Sequence, residues 1–182
     1  MRFTELMIPG VFLIEPTVIE DDRGAFVRLY LEDVFRDRGL NTTWIQNALA
    51  FNRRLGTLRG LHYQANPVGE IKLVRCTRGS LFDVLVDLRP ASPAFGRWVS
   101  AILSAANRQQ LYVPEGIAHG YQTLENDTEV DYRISSVYRA ELQRGLRWDD
   151  AQVAIDWPPC DTRILSARDR TFPDLATCEP FC

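Results

Sequence analysis

The sequence predicts an all-β domain, a sandwich or barrel of the jelly-roll kind. Three observations carry this. Short runs rich in β-branched and aromatic residues recur at intervals of roughly 8–15 residues, with turn signals between them. Only one segment in the N-terminal half has the 3.6-residue period of an amphipathic helix. The 182 residues, 46% hydrophobic and 25% charged, suffice for one buried core and show no internal repeat, linker or low-complexity stretch.

Taken in order, residues 8–20 are β-branched and broken by proline, so they predict edge strands. A turn at Asp21-Asp22-Arg23-Gly24 leads into a strand over 25–30. Residues 31–39 predict the single helix, with Leu31, Val34 and Phe35 on one face and Gly39 as its stop. Strands then dominate: 56–64, 71–76, 80–88, 97–103, 110–114, 120–124 and 128–135. Arg78-Gly79, Pro90 to Pro93, Ala106-Asn107, Glu115-Gly116 and Asn126-Asp127 punctuate them. After Asp150 the chain becomes proline-rich, and 163–177 reads as loop with a short helix. The whole chain, 1–182, is one domain.

Several function classes are excluded early. A net charge of −3 gives no general pull toward nucleic acid or an anionic membrane. No apolar run approaches the roughly 20 residues that span a bilayer. Met1-Arg-Phe-Thr-Glu-Leu6 lacks the apolar core of a signal peptide, so a cytoplasmic protein is expected. Cys76, Cys160, Cys178 and Cys182 have no CxxC spacing and are expected to be free thiols.

The chemistry starts from two histidines, His62 and His119, each set among apolar residues in a strand-like stretch. Two histidines with no H-x-H pair do not make the usual imidazole metal site, so no metal and no cofactor is expected. There is no G-x-S-x-G elbow, and Gly56 to Gly60 is not followed by the Gly-Lys-Ser/Thr of a phosphate loop. General acid–base chemistry remains. Alternation along a strand puts Lys72 in phase with Val74 and Cys76, Asp83 with Leu85, and Tyr132 with Val130 and Ile134. An inward lysine and aspartate cost several kcal/mol unless paired or used. A structural Lys–Asp ion pair beside a core tyrosine fits that pattern as well as a catalytic set does.

At this point the sequence resembles a family. Gly56-Thr-Leu-Arg-Gly-Leu-His-Tyr-Gln64, Lys72-Leu-Val-Arg75, Val113-Pro-Glu-Gly-Ile-Ala-His-Gly120, Arg144-Gly-Leu-Arg-Trp148 and Leu165-Ser-Ala-Arg-Asp169 are similar to the dTDP-4-dehydrorhamnose 3,5-epimerases. The matches run in order from about residue 8 to 174, nearly the whole chain. The resemblance implies a cupin-type jelly-roll barrel with a few short peripheral helices, assembled as a homodimer. N-terminal strands of about 8–30 would be exchanged across the dimer, and the tail 160–182 would pack over the barrel. It implies a metal-free epimerase of nucleotide-diphosphate 4-keto-6-deoxy sugars.

The resemblance also implies roles. His62 would be the base, oriented by Asp169; Tyr132 would deliver the proton from the other face; Lys72 would stand by the C4 oxygen. Arg59 and His119 would hold the diphosphate or sugar, with Asp83 supporting His119 or Lys72. For both Arg59 and His62 to face one pocket, a bulge near Gly60 is required. Arg23 and Phe26 would reach the partner's nucleotide, and Gln46, Asn47 and Tyr138 would contact the base. The chain departs from the family at Arg28, where a glutamate is usual, and in a slightly longer stretch from Asn47 to Leu55. Both departures bear on the nucleotide, not on the acid–base set. Two alternatives stay open: inversion at C3 or C5 only, or a ketoisomerase, on a GDP- or CDP-linked sugar.

Overall fold

A computed structural model describes residues 1–181; Cys182, expected to be a free thiol, lies outside the described residues. The chain opens with strands β1 (Arg2–Glu5), β2 (Phe12–Glu15), β3 (Val18–Asp21) and β4 (Gly24–Val27), then helix α1 (Glu32–Arg36). Next come β5 (Gln46–Asn52), β6 (Leu58–Gln64), β7 (Lys72–Arg78), β8 (Ser80–Asp87) and β9 (Trp98–Ser104). The series closes with β10 (Gln110–Val113), β11 (Ile117–Thr123), β12 (Thr128–Ile134) and β13 (Gln143–Gly145).

Two sheets make the jelly-roll sandwich expected from the strand pattern, of the cupin type that the resemblance implies. One has the order β1-β2-β10-β7-β12-β5 and the other β13-β6-β11-β8-β9; β3 and β4 form a separate two-stranded ribbon. Apolar residues divide into three groups. Val74, Leu81, Leu85, Leu103, Leu111 and Val130 come from both sheets and fill the space between them. Leu58, Leu61 and Tyr63 point to the other side of β6, where Trp157, Leu165 and Leu175 of the C-terminal segment cover them. Ile14, Leu73 and Tyr112 lie on the outside of the six-stranded sheet under Phe35 of α1.

The helix covers five residues, shorter than the expected 31–39. Gly39 adopts φ 68°, and Leu40 N–H donates to Phe35 O, closing the segment one turn early. So short a helix is held by packing: Phe35 is fully buried, worth roughly 2–3 kcal/mol. The N-terminal strands also differ from the expectation. Residues 8–11 form a turn closed by Leu6 N–H to Val11 O, and β1 is a strand that the sequence pattern did not show. Because β1 takes the edge, β2 is paired on both sides. No helix among the described residues is long and apolar enough to cross a membrane.

Candidate active site

A cavity of about 230 Å³ opens between the sheets, lined from one wall by Arg59, His62 and His119 and from the other by Lys72 and Tyr132. Two strands of the five-stranded sheet set the first wall: His119 is the register partner of His62, and Tyr121 that of Arg59. Between these pairs the register shifts. Gly60 there has φ 122°, a conformation side chains rarely adopt, and a Cβ would stand 2.6 Å from Gly120 Cα. The bulge expected from the sequence is thus present. It turns Arg59 and His62 to the same cavity while Leu58 and Leu61 stay on the opposite face.

His62 Nε2 lies 2.8 Å from Asp169 Oδ1, and the other carboxylate oxygen accepts Gly60 N–H at 3.3 Å. Asp169 is buried, which by itself would raise its pKa. The His62 hydrogen bond and charge, with the Gly60 N–H and Ser166, outweigh that and hold the carboxyl below the ordinary range. It is therefore a carboxylate at neutral pH, suited to orienting an imidazole and stabilising its protonated form. Phe172 packs edge-on against His62 at 5.5 Å between ring centres. That approach needs Gly145, where a Cβ would come within 2.5 Å of the Phe172 ring.

On the same wall, Asp83 is fully buried and sets its two oxygens 2.9 and 3.0 Å from His119 Nε2. Burial raises the Asp83 pKa, against the charges of His119 and Lys72. On the opposite wall Lys72 is nearly buried, and its Nζ pairs with Glu70 Oε1 at 2.8 Å. Asp83 thus supports His119, and Glu70 is the direct partner of Lys72. Burial pushes the Tyr132 phenol well above its ordinary pKa, and the neighbouring Tyr121 adds to this. At neutral pH Tyr132 holds its proton.

At the mouth, Tyr138 is half exposed and its hydroxyl donates to Gln143 Oε1 at 2.6 Å. The same oxygen accepts Arg168 Nη1 at 2.7 Å. An adjoining cavity of about 450 Å³ shares Arg59, His62 and Gln143 with the first and adds Ser166 and Arg168. Gln46 lies on the same strand phase as Ala48 and donates to Ser136 O.

One expectation needs correction. Asn47 points away from the cavity: with its amide nitrogen toward the Tyr132 carbonyl at 2.6 Å and Asp131 Oδ1 at 3.2 Å, it belongs to the outer face. Ala48 takes the inward place, because a shift of one residue in a strand reverses the face. Arg23 and Phe26, expected to reach a partner's nucleotide, and Arg28 lie away from the cavity of their own protomer. They lie on and beside the β3–β4 ribbon, with Arg23 paired to Asp21 at 2.6 Å and the Arg28 guanidinium 5.1 Å from the Phe26 ring centre. The residues that sequence reasoning missed are Glu70, Asn52, Tyr121, Gln143, Arg168 and Phe172. Glu70 lies in the loop before β7, where strand alternation gives no signal, and meets Lys72 from two positions earlier in the chain.

Comparison with known proteins supplies the family. The dTDP-4-dehydrorhamnose 3,5-epimerase model matches residues 5–177. A protein of that name from Sinorhizobium fredii is 46% identical over 175 residues, covering 96% of this chain and 90% of its own. The crystal structure of the Bacillus anthracis dTDP-4-dehydrorhamnose 3,5-epimerase, with TDP and PPi bound, superposes with a TM-score of 0.91 at 39% identity, covering 95% of this chain and 98% of that one. ChmJ from Streptomyces bikiniensis, a 3'-monoepimerase in complex with dTDP-quinovose, superposes with a TM-score of 0.89 at 34% identity over 94% of this chain and 87% of its own. The chain belongs to the dTDP-4-dehydrorhamnose 3,5-epimerase family.

Proposed function

We propose that this protein inverts C3 and C5 of a dTDP-4-keto-6-deoxy sugar by removing a proton next to the ketone and returning one to the opposite face. The observation that carries the reading is the two-walled cavity. An imidazole on one sheet is paired with a carboxylate from the C-terminal segment; a protonated phenol and an ammonium group stand on the other sheet. His62 takes the proton on carbon, and the C–H electron pair moves into the ketone to give an enolate. Lys72 stabilises the oxygen charge, an effect of several kcal/mol in a site shielded from water. Tyr132 then protonates the carbon from the other side, and solvent restores both groups. The balance closes without an oxidant, a metal or a cofactor.

Arg59, His119 and Arg168 are the groups suited to the diphosphate. Tyr138 and Gln46, at the mouth, are suited to the base. The ribbon with Arg23, Phe26 and Arg28 leaves Ile19 and Phe26 exposed and makes no ladder with either sheet. Strand β5 is likewise an unpaired sheet edge with Leu49 and Phe51 exposed. Both features support a homodimer in which the ribbon of one protomer closes the cavity of its partner. A cytoplasmic setting suits the free thiols Cys76, Cys160 and Cys178.

The test is incubation of the purified protein with dTDP-4-keto-6-deoxyglucose in deuterated water, followed by proton NMR. Deuterium at C3 and C5 with inversion at both is the expected result. Exchange and inversion at one carbon would make it a single-centre epimerase, carbonyl migration a ketoisomerase, and no exchange at all would remove the proposal.

A further inference from the structure

We infer that Tyr121 is a positioning residue for the proton donor Tyr132, acting through a hydrogen-bonded chain that ends on Asn52. This rests on the reading of Tyr132 as the acid. Tyr121 and Tyr132 both line the cavity, one from β11 and one from β12, and both rings pack on His119, at 6.3 and 6.0 Å between centres. Tyr121 is almost fully buried, so its hydroxyl requires partners. Asn52 Oδ1 is one, and the Tyr132 phenol stands beside Tyr121 in the same cavity and against the same His119 ring.

The direction of the chain follows from Asn52. Its amide nitrogen is occupied by the carbonyls of Ala50 at 3.3 Å and Thr128 at 3.1 Å. Its Oδ1 therefore faces the cavity, accepting Arg59 Nε at 2.8 Å and the Tyr121 hydroxyl at 3.3 Å. An amide oxygen only accepts, so the Tyr121 hydrogen points at Asn52. What remains on Tyr121 is a lone pair on the cavity side, where the Tyr132 hydroxyl is the neighbouring donor. A phenylalanine would fill the same apolar space without fixing the Tyr132 oxygen. When Tyr132 has given its proton to carbon, the Tyr121 hydroxyl is the adjacent donor that can turn to the new phenolate. Arg59, anchored on the same Asn52 oxygen, adds its charge to both phenols. The phosphate-binding arginine and the proton donor thus share one support.

A residue that serves only the acid step leaves proton removal by His62 intact. The readout is the ratio of solvent deuterium exchange without inversion to inversion, measured by NMR alongside KM and thermal unfolding. Tyr121→Phe is expected to raise that ratio roughly five- to tenfold, the effect of one neutral hydrogen bond, with KM changed less than about twofold. Asn52→Ala is expected to raise the ratio in the same direction and to raise KM as well, because Arg59 loses its anchor. Exchange and inversion falling together in a folded Tyr121→Phe protein, or an unchanged ratio, would overturn the assignment. If Tyr121→Phe does not fold, the ratio in Asn52→Ala decides the question. Failure of the wild-type protein to exchange would instead overturn the acid–base reading itself.

Discussion

His62 Nε2 and Asp169 Oδ1 stand 2.8 Å apart although 107 positions separate them in the chain. The carboxylate arrives on the C-terminal segment after β13, is buried there, and keeps its charge because His62, Gly60 N–H and Ser166 all favour the ionised form. Asp169→Asn preserves size but removes the charge that orients the imidazole and stabilises its cation. We expect kcat to fall on the order of a hundredfold or more with KM within about threefold, measured by steady-state kinetics. A KM effect alone would mean that the pair holds substrate and not a proton.

The two walls predict two different defects. His62→Ala should abolish both inversion and solvent exchange, because no base remains to form the enolate. Tyr132→Phe should retain measurable exchange and lose most inversion, on the order of a hundredfold, since proton return from the far face fails. Normal inversion by Tyr132→Phe, read by product NMR, would remove Tyr132 from the acid role.

Much of this was legible in the sequence, and what was not has physical reasons. Strand alternation alone placed Lys72, Asp83 and Tyr132 inward, and the need for a bulge at Gly60 followed from Arg59 and His62 sharing a pocket. Asn47 was misplaced because facing depends on register, which β12 fixes by pairing Ala48 with Tyr132. The stop at Gly39 was legible; the early end of α1 depends on the tight turns over residues 36–39 and on how Phe35 docks, which periodicity does not weigh. Gln143, Arg168 and Phe172 sit in or beside segments without a period, so only the folded chain brings them to His62.

Lys72 and Glu70 form an ion pair on the cavity wall that carries Tyr132, at 2.8 Å with both side chains largely buried. Lys72→Met should lower kcat on the order of a hundredfold, the usual effect of removing an oxyanion partner. Glu70→Gln keeps an acceptor oxygen while removing the countercharge, so its loss should stay below about tenfold. An equal loss in both variants would mean that the pair is structural.

Asp87 gives a stability prediction with a defined pH sense. It is fully buried at the end of β8; its oxygens accept Arg89 Nε at 2.9 Å, Arg89 Nη2 at 2.7 Å and Ser92 Oγ at 2.6 Å. Burial would raise its pKa, but these bonds and the Arg89 charge outweigh it, and the folded value lies below the ordinary one. A depressed carboxylate stabilises the fold fully above the unfolded pKa of about 3.9, and the contribution is lost as pH falls through the lower folded value. Asp87→Asn should therefore cost about 2 kcal/mol at pH 7, or roughly 4–8 °C in Tm. The difference from wild type should shrink below about pH 4; a gap that persists in acid would show that shape, not charge, is at stake.

Gly60 tests whether the bulge builds the site. Its φ of 122° is unfavourable for any L side chain, and a Cβ would meet Gly120 Cα at 2.6 Å and His119 O at 2.9 Å, both backbone atoms that cannot turn aside. Gly60→Ala must push β6 away from β11 or undo the bulge. Pushing the strands apart costs stability, about 2–4 kcal/mol, visible as a lower Tm. Undoing the bulge restores strict alternation, which sends either Arg59 or His62 to the outer face against Trp157 and Leu165. Activity should then fall below detection even at temperatures where circular dichroism shows the variant fully folded. A folded Gly60→Ala protein with wild-type kcat and KM would mean that β6 presents both side chains without the bulge, and that the register shift has no part in bringing His62 beside Arg59.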